Sequence, residues 1–415
     1  MKEIFTTVIF SLFVCSLALF SSCTKEQAMY IELVNTLNET RCNEMVEVDL
    51  NTITTRLNLS EGQGFVISDA EHKEIPYQIT HDHKVIFQVS MEGKDSLSLT
   101  LHRGTPQKTT VVTCGRVYPQ RFDDLAWEND LVGFRAYGPS LQQTGEKAFG
   151  YDLFAKRGTH KPVLEEMYAM ETDKIAWSEI RALKEIDPEA AESLRRSVTY
   201  HVDKGHGMDC YAVGPTLGAG VAALVDDNKI VYPWCYKSCQ ILDNGPLRFT
   251  ARLEFTPLLF KGKEVVETRE ISLDAGSHLN KTRVSYTDLQ GSQPIVAGIV
   301  LHDTGGRTTC APEKGFMAYE DPTTGPDQGR LFLGHVFPKE VNTMTPVYFS
   351  PEEVKVRNQA KGHLLAEDTI QPNGEFCYYW GFGWNRAGVT DYESWIHYLE
   401  DFTNRLHHPL HVHIR

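Results

Sequence analysis

No run of lysine and arginine occurs anywhere in the 415 residues: 41 basic side chains are scattered among 55 acidic ones, and the formal net charge is −14 at pH 7. Nucleic acids and other polyphosphates need a basic footprint, so they are excluded as partners. The one glycine-rich stretch, Gly205 to Gly220, is followed by no Gly-Lys-Ser/Thr and has no strand-to-helix context, which excludes a phosphate loop. No nucleotide fingerprint appears, which sets aside an oxidoreductase. Internal repeats, low-complexity tracts and any second apolar stretch of membrane-spanning length are also missing. Cysteine is sparse and badly spaced for pairing. Beyond Cys15 and Cys23, the seven that remain form one close pair, Cys235 and Cys239, whose α-carbons lie about 13 Å apart in an extended strand, too far to bridge. Free thiols are expected, no zinc set converges, and no cofactor is implied.

What is present begins at the N-terminus. A charged start, an apolar run from Val8 to Phe20 and Ser21-Ser22-Cys23 read as an export signal ending in a lipidated cysteine. Thirteen apolar residues fall short of the roughly 20 that span a bilayer. Removal of residues 1–22 would leave Cys23 as a lipid anchor, residues 23–30 as a tether and a protein held outside the cytoplasm, its only membrane contact the lipid.

The rest is β-rich. From Ile31 to Thr110, short apolar runs alternate with turn residues, most regularly in Ser96-Leu97-Ser98-Leu99-Thr100-Leu101, which predicts a small β-sandwich over residues 31–113. Longer, more aromatic strands follow at regular intervals, including a hairpin across Asp226-Asp227-Asn228, and predict a large antiparallel sandwich over residues 114–415. Two helices are expected within it. One covers about Trp177 to Arg196 and breaks near Asp187-Pro188; the other runs from Asp391 to Leu406, with a capping box from Thr390 to Glu393. His411 to Ile414 reads as a last strand, and the four histidines after position 406 as a solvated tail.

Five segments carry candidate chemistry. If Trp127 to Pro139 is read as one strand, Asn129 and Arg135 share a face opposite Glu128, and the Arg135 fork suits a carboxylate or a structural ion pair equally. Five glycines between Gly205 and Gly220 let backbone approach something closely, and the side chains in and just before this stretch form an acid/base inventory: His201, His206, Asp209 and Tyr211. Arg248 follows the turn Asp243-Asn244-Gly245-Pro246 and could reach a cleft. His302 ends an apolar strand at a sheet rim. Tyr378 to Trp384 is the densest aromatic cluster, and its two glycines would leave the faces of Trp380 and Trp384 open to a sugar ring.

Trp127–Pro139, Met208–Gly220, Asn244-Gly245-Pro246-Leu247-Arg248 and Ser272-Leu273-Asp274-Ala275-Gly276-Ser277 together resemble a family of bacterial lipoproteins known only as a domain of unknown function, the 4861 type. The resemblance implies a galactose-mutarotase-like super-sandwich and an association with polysaccharide-degrading gene clusters. It carries no catalytic residues, and His206 stands where it would place an acid. Three functions are expected from the whole. The first is a lyase acting on uronate glycans, with Arg135 or Arg248 on the carboxylate, Asn129 assisting and His201 or Tyr211 as base. The second is an aldose epimerase or mutarotase using His201 with His302, and Glu128 or Asp209. The third is a non-catalytic glycan-binding lipoprotein resting on Trp380 and Trp384. All turn on whether His201, Tyr211, Arg135 and Arg248 converge.

Overall fold

In Lys263–Asp274 every second residue from Val265 to Leu273 is buried, the period that a strand with one face on a core requires. The computed structural model describes residues 28–158 and 161–415, so the export signal and Cys23 lie outside the described residues. It is mainly antiparallel β: every pairing between its strands is antiparallel.

A small sandwich comes first. One sheet contains Met29–Val34, Ser96–Arg103 and Phe65–Ser68, the other Arg41–Asp49, Lys84–Met91 and Tyr77–Ile79, and they enclose Ile31, Leu33, Val48, Phe87, Leu99 and their neighbours. Its first sheet is completed from the far end of the chain. His411–Ile414 pairs with Met29–Val34, so the expected last strand exists but serves as the edge of the N-terminal sheet.

Three sheets build the large sandwich around one core. A nine-stranded sheet faces two five-stranded ones, and Trp127, Phe134, Leu224, Phe249, Ile299, Trp380 and Phe382 from all three meet inside. The expected hairpin forms, with Val225 opposite Ile230 and positive φ at Asp227 and Asn228, which makes a two-residue turn. On the outer face of the nine-stranded sheet lies the C-terminal helix Tyr392–His407, burying Trp395 and Leu399 against Phe332 and Val336. Its N-cap is Asp391, which accepts from Ser394 N, rather than the expected Thr390 box.

The expected broken helix forms as Lys174–Leu183 and Pro188–Val198, and a further helix, Leu164–Glu171, packs on the first five-stranded sheet. Leu164–Glu171 escapes a periodicity reading because it buries Leu164, Met167 and Tyr168 at one end only. The break at Asp187-Pro188 is where expected, with Asp187 capping Pro188–Val198.

Candidate functional site

Trp127–Pro139 is a hairpin rather than one strand, and this changes which side chains meet. Asp124–Glu128 turns at Asn129 and returns as Val132–Ala136, with Ala126 opposite Arg135 and Glu128 opposite Gly133. Asp124, Glu128 and Arg135 therefore share one face, together with Asp152 and Lys156 from the next strand. Asn129 is the turn's plug: its carbonyl oxygen accepts from Leu131 N and Val132 N at 2.9 Å, and its amide donates to Asp274 O and Ser277 O at 2.7 Å. No valence is left for a substrate.

The start of the helix Leu164–Glu171 closes over this charged face. Glu128 accepts from Val163 N and Leu164 N and from the buried Lys156 ammonium. Arg135 is the centre of a second buried network. Its Nε donates to Asp152 Oδ2 at 3.1 Å, Nη1 to the Tyr200 hydroxyl at 2.9 Å and Nη2 to Asp209 Oδ2 at 2.9 Å, with Asp124 3.8 Å away. Tyr137 adds a hydrogen bond to Asp152 at 2.6 Å. Three acids crowd one arginine. Burial pushes both Asp124 and Asp209 up to about 6, aided by the charge of Asp152, and Arg135 only partly offsets it. Arg135 is consumed by the protein's own carboxylates and is not a carboxylate receptor.

His201 stands at the margin of this network. Its Nδ1 lies 3.1 Å from the Asp209 main-chain oxygen and 3.8 Å from the Asp209 carboxylate, and its side chain is 52% exposed. A carbonyl only accepts, so Nδ1 carries the proton. Nε2 is then the basic nitrogen, on a ring fixed in place and open to solvent.

The same segment, Asp209-Cys210-Tyr211, turns Tyr211 toward a third cluster. The Tyr211 ring meets His302 edge-on at 5.3 Å, and His302 Nδ1 lies 2.5 Å from Asp321 while Nε2 donates to Ala212 O at 2.8 Å. Burial disfavours the charge on His302, but Asp321 and the Ala212 carbonyl outweigh it and its pKa is raised. With both ring nitrogens engaged, His302 is an anchored imidazolium and not a free acid. The Tyr211 hydroxyl is buried without a partner, and burial and the charge of Asp321 drive its pKa well above the usual 10, so it is not a base near neutrality.

Of the four groups expected to converge, His201 and Arg135 meet only through Asp209, whereas Tyr211 turns to the His302 cluster. Arg248 joins neither: it grips Asp274 with two nitrogens and Glu47 with the third, between the large sandwich and the small one. His206 sits on a surface turn, its carbonyl accepting from Arg157 N. Trp380 and Trp384 are 0% and 2% exposed, their indole N–H groups donating to Thr282 and to Gln328 O, so they are core and not sugar platforms. The glycines do permit a close approach, but of the chain to itself. A Cβ on Gly207, at φ +120°, would lie 1.9 Å from Ala155 O, where the strands Asp152–Lys156 and Gly207–Met208 pair.

One residue escaped the sequence reading. Arg386, exposed in the turn after the aromatic strand Glu375–Trp384, makes no ion pair among the described residues, yet its charge reaches the Cys210 thiol. Its only signal was position: a guanidinium two residues past Trp384.

The chain is 26% identical to "Uncharacterized protein P7" of Formosa agariphila over 429 residues, spanning 98% of this chain and 99% of that protein. Two solved structures from Enterococcus faecalis, a protein in glycosyl hydrolase family 38 and an alpha-mannosidase, each superpose on 94% of the chain with a TM-score of 0.47 at 7% and 8% identity. The chain spans about half their length, 48% and 46%, and a likeness this slight carries no argument. The model of the domain of unknown function DUF4861 matches residues 33–412, and the chain belongs to that family.

Proposed function

We propose that the protein is an exported carbohydrate-active enzyme that cleaves uronate-containing glycans by β-elimination. His201 is its base, and Arg386, in place of Arg135, is its carboxylate-binding cation. The observation that carries this reading is the His201 ring, tethered through Nδ1 to the Asp209 main-chain oxygen while its side chain stays 52% exposed.

In the step, Nε2 takes the proton from the carbon next to the uronate carboxylate. The freed electron pair forms the carbon–carbon double bond, the bond to the glycosidic oxygen breaks, and that oxygen receives a proton from the imidazolium. Arg386 holds the carboxylate as charge develops on it. One histidine serves as base and then acid, which suits a site with a single exposed imidazole of this kind. The epimerase alternative needs a second free acid or base, and both Glu128 and His302 are fully engaged.

The test is absorbance of conjugated uronate products across a panel of uronate polymers. The reading expects absorbance to rise with at least one polymer, and Arg386→Ala to raise KM about tenfold or more. Flat absorbance with every polymer overturns it.

A further inference from the structure

Arg157 and Arg386 stand against two sides of one indole. Arg157 follows the strand Asp152–Lys156, and its guanidinium carbon lies 5.4 Å from the Trp384 ring centre, over the ring. Arg386 reaches the N–H edge of the same ring. Its Nε and the Trp384 Nε1 each lie 3.1 Å from the point where a Cβ on Gly329 would stand, and Gly329, at φ +85°, leaves that point empty. Asn385 fixes the turn that carries Arg386: its main-chain N donates to Arg330 O at 3.1 Å, and its side-chain oxygen accepts from Arg330 N at 2.9 Å. Trp384 is buried beneath, while both arginines are exposed.

Neither guanidinium is used up by the protein. Asp203 Oδ2 takes Arg157 Nε at 2.7 Å and Nη2 at 2.5 Å, while Oδ1 accepts from Gly205 N and Gly207 N. Burial alone would raise the Asp203 pKa, but Arg157 and these amides outweigh it and hold it below the usual value, so the pair stays charged. Asp203 therefore orients one edge of the fork and leaves Nη1 without a partner among the described residues. Arg135 differs, being buried with all three nitrogens engaged. Arg386 has no ion pair among the described residues, so two cations on one ring share a single carboxylate in a chain of net charge −14. Guanidinium forks suit carboxylates and tetrahedral oxyanions, and these two meet the indole at its face and at its edge, which addresses two groups rather than one. We propose that Arg157 and Arg386 form a pair that binds acidic groups, carboxylate or sulfate ester, on neighbouring sugars of the glycan. The substrate is then a densely charged chain, and Arg157 sets specificity at the sugar beside the reacting one. This rests on the reading of Arg386 as the carboxylate-binding cation.

The test is calorimetric binding to the His201→Ala protein, which removes turnover. Two matched pairs of oligosaccharides differ only in acid density: hexagalacturonate and its half-methyl-esterified form, and sulfated and unsulfated chondroitin hexasaccharides. The expected result is binding about tenfold or more tighter for the denser member of at least one pair, and which pair it is tells carboxylate from sulfate. Arg157→Gln and Arg386→Gln should each erase that preference, and Arg157→Lys, which keeps the charge without the fork, should keep part of it. Thermal melts check folding, and Arg386→Gln, at an exposed residue with no ion pair to lose, decides if Arg157→Gln does not fold. Equal affinity within both pairs, a preference that survives either Gln substitution, or no binding overturns the proposal. Uronate absorbance from wild type alongside equal affinities leaves the His201 reading standing without the pair. A density preference with no absorbance from any polymer keeps the pair as a binding site and removes His201 as the base.

Discussion

At the scale of single residues, the sequence named the right chemical groups and often the wrong state for them. His201 and Asp209 were legible as titratable groups gathered in a glycine-rich segment, but the Asp209 carboxylate is taken by Arg135. Arg135 and Tyr211 were not legible as buried members of two separate clusters, since that depends on which distant side chains close around each. The Arg135 network makes a definite prediction about pH. Asp209 has a folded pKa of about 6 against an unfolded value near 3.8, so the native state holds its proton more tightly. The stability this gives is fully present below pH 3.8 and is lost as the pH rises through 6. Asp209→Asn removes that dependence, so its stability relative to wild type should climb between pH 4 and 7 by on the order of 2 kcal/mol in urea titrations; a constant difference would contradict the raised pKa. Trp380, misread as a platform, should behave as core. Trp380→Ala is expected to cost about 3–5 kcal/mol in urea unfolding at pH 7.

At the scale of elements, alternation found strands reliably and turns poorly. Treating Trp127–Pro139 as continuous put Glu128 and Arg135 on opposite faces, and the turn at Asn129 reverses that assignment. Asn129-Asp130 is the local turn signal that alternation passes over: the Asn129 carbonyl accepts from Leu131 N and Val132 N, and its amide ties the turn to Asp274 and Ser277, about 150 positions away. Glu128 and Lys156 illustrate what such contacts do: the pair is buried, and Glu128 also caps the start of Leu164–Glu171. Lys156→Met leaves a buried carboxylate without its cation and should destabilise the protein by about 3–5 kcal/mol. Glu128→Gln added to it should recover part of that loss, which thermal unfolding of the single and double variants measures.

At the scale of the whole molecule, mainly β architecture and the order of small sandwich before large one were readable from the rhythm of apolar runs. The closure was not. The last strand crosses the full length of the chain to pair with the first, Ile414 opposite Ile31 and Arg415 reaching Glu32, and no local signal specifies a partner that distant. Truncation after Pro409 should bare the edge of Met29–Val34, and limited proteolysis followed by mass spectrometry should then show cleavage concentrated before residue 104. Uniform sensitivity along the chain would contradict that role.

Proton removal by His201 is the step on which the proposed chemistry depends. The direct measurement is the rate of unsaturated-uronate formation by the His201→Ala protein, with and without added imidazole. The expected result is a loss of roughly 100- to 10,000-fold, partly restored by imidazole; a variant within a few-fold of the wild-type rate would show that the proton leaves by another route.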